Sequence, residues 1–122
     1  MDKIDLAAAF AVLRVGDGLA TLARINETEV KAGRFKGRFS FHRHEDEDEL
    51  FWVIAGAITV EFPDHAIRLN AGEMLVVPRG VEHRTATDEE AEVVVIHPRS
   101  TCVPPPRKSR NRTGPRPPVT PK

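Results

Sequence analysis

Residues 42–56 read HRHEDEDELFWVIAG, and this stretch decides the fold. Its first half places two histidines one residue apart and follows them with an acidic connection. Its second half, from Glu49, is an apolar run rich in aromatic and β-branched residues, which is typical of a strand. In a strand the side chains of residues i and i+2 project from the same face, so His42 and His44 can reach one point in space. Glu49, at the start of an adjacent antiparallel strand, can supply a carboxylate to the same point.

The rest of residues 1–103 has the pattern of short strands and turns that is typical of an all-β domain. Runs rich in Val, Ile, Phe and Thr alternate with turn signals about 8–12 residues apart, which favours a sandwich or barrel over βαβ units. Ile58, Val60 and Phe62 alternate with polar residues, as in a half-buried strand. Only residues 4–13, with an Ala-rich centre, indicate a short helical or irregular N-terminal segment. The turn signals lie at residues 16–18, 55–56, 63–64, 70–72, 78–80 and 88–90.

The chain divides into an acidic domain and a basic tail. Its formal net charge is zero over 122 residues. Residues 104–122 hold six of the 18 Lys and Arg residues and none of the 18 acids, which leaves a charge of −6 on residues 1–103. Seven of the ten prolines also lie in this tail, which has little apolar surface to bury, so we expect it to be disordered. Such a tail could bind nucleic acid or an acidic partner weakly, but it has no aromatic residue to stack on bases.

Composition also limits the chemistry of any site. An apolar content of 40% in 122 residues is enough for one compact core but not for two. No apolar run approaches the roughly 20 residues of a membrane helix, and the N-terminus lacks the basic flank and apolar stretch of a secretory signal. We therefore expect a cytoplasmic protein with no membrane partner. Cys102 is the single cysteine, so any metal must be held by nitrogen and oxygen.

Two motifs of the chain resemble those of the cupin superfamily. The first has an H-x-H pair, then four residues and a Glu, then six residues and a Gly. The second reads G-x5-P-x-G-x2-H without a gap over residues 72–83. Together they resemble small single-domain cupins that are often described as mannose-6-phosphate isomerase-like, over nearly the whole of residues 1–103. The residues of the first motif are Gly37, His42, His44, Glu49 and Gly56.

The resemblance implies a single jelly-roll barrel, the double-stranded β-helix, over residues 1–103. It also implies one divalent metal ion bound by His42, His44, Glu49 and His83. Three imidazoles and one carboxylate suit Fe, Mn, Ni, Cu, Co or Zn, and the sequence does not distinguish among these metals. Four protein ligands on a six-coordinate ion leave two positions for water or a substrate.

The sequence departs from the cupin pattern at three points, one of which is that the last strand leads into the basic tail and not into a short polar stretch. Gly37 stands one residue closer to His42 than in the general motif, which affects a turn and not a ligand. Thr87 occupies a position where an Asn is common.

Other polar residues near the motifs have simpler interpretations. His65 follows a turn signal and is expected on the surface, while His97 closes the last strand and is expected to be structural. Residues 45–48 are interpreted as a solvated acidic turn. Arg38 and Ser40 share the parity of His42, so we expect them to line the pocket.

Three classes of function fit this interpretation. The first is a metal-dependent enzyme, isomerase-like or oxygenase-like, acting on a small polar metabolite such as a sugar derivative or a hydroxy or keto acid. The second is a non-catalytic module that binds or senses a metal or small molecule. The third, ranked last, is an interaction driven by the tail. Because one fold hosts many reactions, the resemblance does not name the reaction or its catalytic residues.

The strand that begins at Glu49 also predicts an association surface. Alternation sends Glu49 inward and Leu50, Trp52 and Ile54 to the opposite face. Both faces of this strand are apolar, so either a second subunit or the segment at residues 6–13 must cover the outer one. We expect a homodimer, which small cupins usually form, with Leu50, Trp52 and Ile54 in its interface.

Overall fold

In a computed structural model of the chain, residues 1–99 are described, and the expected domain end at Val103 and the tail at 104–122 lie outside this range. Over the described range one short helix precedes seven antiparallel strands, which confirms the all-β fold class. The helix is not long enough to cross a membrane. The elements are α1 (Leu6–Ala11), β1 (Ala20–Ile25), β2 (Thr28–Arg38), β3 (Glu49–Ala55), β4 (Ala57–Glu61), β5 (Ala66–Asn70), β6 (Met74–Val77) and β7 (Arg84–Pro98).

The long strand β7 organises the barrel. One of its edges pairs with β2 over the whole length of β2. Its other edge pairs with β4 at residues 84–86 and with β3 at residues 92–96. Because this edge changes partner midway, the sheet splits into one branch in the order β1-β2-β7-β3-β6 and another that continues through β4 to β5. The apolar faces of the two branches enclose one core, as a jelly roll requires.

The turn predicted at residues 88–90 is wrong. These three residues lie within β7 with their side chains exposed. The β2–β7 register shifts here, since Phe35 pairs with Ala91 and Gly37 with Thr87. The bulge accommodates two extra residues of β7. The acidic, turn-like composition of residues 88–90 therefore corresponds to a bulge and not to a reversal of the chain. The other predicted turns lie between consecutive elements.

The main core lies between the layers, and in β3 the buried side chains alternate with half-buried ones. In β3, Glu49, Phe51 and Val53 are buried, whereas Leu50, Trp52 and Ile54 are half-buried on the other face, as predicted. The fully buried members of this core come from β2 to β7 and are Phe35, Phe51, Val53, Ile58, Val60, Leu69, Val77, Ala91, Val93 and Val95.

The helix α1 covers part of the outer face of the sheet. Its first turn is capped by Asp5, whose carboxylate accepts a hydrogen bond from the Ala8 N–H. Phe10 packs with Val94 in a second buried cluster, against which Trp52 and other half-buried residues also pack. For this part of the face, the cover within the chain that the sequence offered as an alternative to a second subunit is therefore present.

Candidate metal centre

The four predicted ligands come from three parts of the fold. Glu49 opens β3, His83 directly precedes β7, and His42 and His44 lie in the connection between β2 and β3. The backbones of His42 and His83 form an isolated bridge, in which each N–H donates to the other's carbonyl at 2.9 Å. The H-x-H pair was expected inside a strand, but its pairing is reduced to this one bridge. The bridge holds two ligand-bearing segments side by side.

The ligand atoms of these side chains converge. One nitrogen or carboxylate oxygen from each of His42, His44, Glu49 and His83 lies within 4.8 Å of all the others. Glu49 Oε1 lies 3.1 Å from His83 Nε2 and 3.4 Å from His44 Nε2. Glu49 and His83 are buried, while the side chain of His44 is 25% exposed. The sequence prediction that these four residues come together is met by the geometry.

Backbone carbonyls set the tautomers of two of the imidazoles. His42 Nδ1 lies 3.0 Å from the Ser40 carbonyl oxygen, and His83 Nδ1 lies 2.8 Å from the Val81 carbonyl oxygen. A carbonyl only accepts a hydrogen bond, so each Nδ1 must carry the proton and donate it. In the neutral ring this leaves the lone pair on Nε2, which is the form of histidine that binds metals, whereas a protonated His83 ring donates from Nε2 to Glu49 Oε1 at 3.1 Å.

The third imidazole, that of His44, has a buried nitrogen without a hydrogen-bond partner. Among the described residues, His44 Nε2 is the one buried side-chain nitrogen or oxygen without a hydrogen bond, because its contact with Glu49 Oε1 lacks hydrogen-bonding geometry. Buried polar atoms are rarely left in this state in folded proteins. A cation at the centre of the cluster would satisfy this nitrogen and the carboxylate together. The donor set, three imidazoles and one carboxylate, therefore fits a divalent transition metal ion.

The electrostatics of Glu49 agree with this interpretation. Burial alone would raise the pKa of the Glu49 carboxyl, but the imidazoles of His44 and His83 outweigh burial and hold its pKa below the ordinary value. The carboxyl group is therefore ionised at neutral pH, which is the form required of a metal ligand.

A cavity of about 250 Å³ opens beside the cluster. His42 and Glu49 form part of its wall, so a molecule in the cavity can contact the cluster directly. Most of the remaining wall is apolar. Its large apolar residues are Leu19, Phe35, Phe39, Phe51 and Val95.

The expectation that Arg38 and Ser40 line the pocket is wrong, since both are exposed and neither lines the cavity. Phe35 and Phe39 line it instead, and His42 does so as well, so the inward face changes parity between Phe39 and His42. This change follows the end of β2, where no ladder constrains the backbone. The phenylalanines could have been found from their own alternation in sequence.

The residues interpreted as lying outside the site do so. His65 is exposed in the β4–β5 turn, where Nδ1 lies 2.7 Å from Asp64 Oδ1 and the ring stacks on Phe62. His97 contacts the Pro98 carbonyl oxygen at 2.8 Å. Glu45 pairs with Arg43 at 2.6 Å in the connection between β2 and β3.

A jelly-roll barrel that gathers three histidines and a glutamate from two sequence motifs is the arrangement typical of cupins. Residues 26–97, more than half of the chain, match the cupin domain. The protein belongs to the cupin family.

Comparison with individual proteins agrees with this assignment. The chain is 31% identical over 87 residues to the protein YdbB of Bacillus subtilis, covering 62% of this chain and 77% of YdbB. It is 31% identical over 74 residues to a Saccharolobus solfataricus protein named "Putative dioxygenase SSO1533", covering 61% of this chain but 19% of that protein. A crystal structure of a cupin-2 domain-containing protein from Shewanella frigidimarina superposes with a TM-score of 0.77 at 35% identity, covering 79% of this chain and 94% of the other.

Proposed function

We propose that the protein binds one divalent transition metal ion through His42, His44, Glu49 and His83. We further propose that it is a metal-dependent enzyme, isomerase-like or oxygenase-like, acting on a small molecule held in the adjacent cavity. The observation that carries this proposal is the buried His44 Nε2, which lies without a hydrogen bond beside the buried Glu49 carboxylate. A cation between these groups would satisfy the nitrogen and the carboxylate together.

The residues around the proposed metal centre would have different roles. A bound ion supplies Lewis-acid chemistry or, if it is redox-active, one-electron chemistry. The carbonyls of Ser40 and Val81 orient two imidazoles, and Glu49 reduces the net charge of the centre. The apolar wall of the cavity excludes water from the side that a substrate would occupy.

One observation favours the second candidate, a non-catalytic binding or sensing module. Among the described residues that line the cavity, the titratable side chains are Arg34, His42 and Glu49. Two of these belong to the cluster, and the Arg34 guanidinium donates to the carbonyls of Phe10 and Leu13 and to Glu90. The cavity therefore offers no separate general acid or base. The Saccharolobus relative favours an enzyme, but the match spans about a fifth of that protein.

Turnover assays on metal-loaded protein separate these candidates. Wild type, Glu49→Gln and His65→Ala would each be loaded with Fe, Mn, Ni, Cu, Co or Zn and tested for oxygen uptake and isomerisation with a panel of keto, hydroxy and aryl acids and sugar phosphates. The enzyme proposal predicts turnover with at least one metal in wild type and His65→Ala, but not in Glu49→Gln. Metal binding without turnover across the panel would support the binding module. Failure of wild type to bind metal would reject the metal-dependent enzyme and a metal-binding module.

A further inference from the structure

We propose that the ligand of this site is a small aryl- or alkyl-substituted acid, with a chelating head at the metal cluster and an apolar body in the cavity. This inference rests on the proposed function, because the cluster is taken as the anchor for the head. It narrows the substrate class expected from the sequence and excludes sugars and sugar phosphates.

The first argument is the chemistry of the wall. Leu19, Phe35, Phe39, Phe51 and Val95 reach the cavity from β2, β3, β7 and the connections next to β1 and β2. The rings of Phe35 and Phe39 stack with centroids 5.5 Å apart. The hydroxyl groups of a sugar placed against three phenyl rings would lose hydration without gaining hydrogen-bond partners from these rings, whereas an alkyl or aryl group is stabilised there.

The second argument is that the guanidinium of Arg34, which lies in the cavity wall, is already bound to other groups of the protein. Arg34 Nε lies 2.9 Å from the Leu13 carbonyl oxygen, and its NH2 nitrogen donates to the Phe10 carbonyl at 2.8 Å. Its two terminal nitrogens also pair with Glu90 at 2.7 Å and Glu92 at 3.2 Å. With its donors directed at α1 and β7, this guanidinium does not present a phosphate site. Apart from the cluster, Thr85 supplies the remaining polar side chain of the described wall.

The third argument is that the apolar wall is built into the fold. Gly16 and Gly18, in the turn between α1 and β1, border the cavity and lead into Leu19. Leu19 packs against Gly33 so closely that a Cβ on Gly33 would lie 2.9 Å from Leu19 Cδ2. The connection between α1 and β1 therefore packs on β2 and holds the Leu19 side chain over the cavity.

The test uses hydroxamic acids, whose head chelates a metal, with tails that differ in size and in polarity. Acetohydroxamate, hexanohydroxamate, phenylacetohydroxamate and a polyhydroxylated six-carbon hydroxamate would be titrated calorimetrically into the zinc-loaded protein. We expect affinity to rise by up to about fourfold for each buried methylene. The polyhydroxylated probe should bind no more tightly than acetohydroxamate. If it binds as tightly as hexanohydroxamate, the inference is overturned while the metal proposal stands.

A pair of variants tests whether the preference for an apolar tail depends on the cavity wall. Phe39→Ser should lower the affinity for phenylacetohydroxamate at least tenfold and leave acetohydroxamate unchanged. Phe41→Ser is the matched control, because Phe41 is exposed beneath the Arg84 guanidinium and does not line the cavity. Leu19→Ser replaces Phe39→Ser if the latter does not unfold cooperatively. Equal effects of the wall and control variants would overturn the inference.

A metal-free arm separates this inference from the proposed function. Binding of hexanoate and of gluconate to metal-free protein would be compared by ligand-observed NMR. If wild type binds no metal, the proposed function fails, yet a preference for hexanoate that Phe39→Ser abolishes still supports an apolar ligand site. Preference for gluconate, or no preference, overturns the inference in this arm.

Discussion

Two of the clustered histidines have Nδ1 held by a backbone carbonyl. In both, the acceptor is the carbonyl two residues earlier in the chain, Ser40 for His42 and Val81 for His83. A carbonyl acceptor survives substitution of its own side chain, so ring orientation is a property of the local backbone. The His42–His83 bridge fixes that backbone. At the scale of the residue, the site is thus prepared before any ion binds.

Two motif glycines allow a steric prediction at the same scale. Gly56 and Gly72 both have positive φ, at 78° and 88°. A Cβ on Gly56 would lie 3.0 Å from the Glu90 carbonyl oxygen and 3.1 Å from Ala91 Cα, whereas a Cβ on Gly72 would meet nothing within 4 Å. Gly72→Ala should lower the free energy of unfolding by about 1–2 kcal/mol. Gly56→Ala should lower it by about 1–3 kcal/mol more, because backbone must move. Urea denaturation measures both, and equal losses would contradict the steric argument.

The four clustered residues were predictable because the cupin motif and strand parity pointed to the same set. The cavity wall was not predicted, since parity fails where a ladder ends. Arg38 and Ser40 share the parity of His42, but the inward face changes after Phe39. The unpartnered His44 nitrogen depends on a distance and an angle, which no pattern of residue types encodes.

At the scale of the element, Arg34 joins the helix to the barrel. From β2 it donates to the carbonyl of Phe10 in the last turn of α1 and to that of Leu13, two residues beyond the helix. Its charge also suits the negative end of the helix. The same guanidinium pairs with Glu90 in the bulge of β7. One side chain thus connects α1, β2 and β7.

This connection predicts an unequal response of two arginines. Arg34→Ala should lower the free energy of unfolding by about 1.5–3 kcal/mol, because it removes charged hydrogen bonds to partly buried carbonyls. Arg43→Ala is the control, since its pair with Glu45 is mostly exposed, and it should cost about 0–1 kcal/mol. Trp52, the single tryptophan, packs in the cluster beneath α1, so its emission should shift to longer wavelength in Arg34→Ala. Indistinguishable effects would show that Arg34 does not hold the helix.

Strands and turns could be predicted from the sequence where the local residue pattern agrees with the pairing of the strands. The alternation along β3 and the turn at residues 78–80 were predicted because burial and turn residues give direct signals. The length of β7 was not, because its acidic residues 88–90 imitate a turn. Their extended conformation follows from long-range pairing with β2, which a local pattern does not contain.

At the scale of the whole molecule, part of the outer sheet face remains apolar and uncovered. Met74 and Val76 of β6 are 54% and 52% exposed. They pair with Trp52 and Leu50 of β3, so the four side chains form one surface, the β6 patch. The helix covers the end of this face near Trp52 and leaves β6 open. The sequence interpretation placed the predicted interface on β3 and did not include these two residues.

We propose that the β6 patch is the contact surface of a homodimer. β6 ends its branch of the sheet, which favours a symmetric contact with the same strand of a second copy. Val76→Glu should convert a dimer to a monomer in light scattering coupled to gel filtration. Val12→Glu, at a position that is 77% exposed and outside the patch, should leave the dimer intact. A monomeric wild type, or a dimer that survives Val76→Glu, would remove this interface.

Metal analysis of protein purified without added metal, then exposed to one equivalent of each candidate ion and desalted, tests the central claim most directly. Mass spectrometric metal analysis should find one transition metal ion per chain in wild type and in His65→Ala, whose imidazole lies outside the cluster. His44→Ala and Glu49→Gln should retain little or none under the same conditions while unfolding cooperatively. An absence of bound metal in wild type, or full occupancy in His44→Ala, would contradict the assignment of His42, His44, Glu49 and His83 as a metal centre.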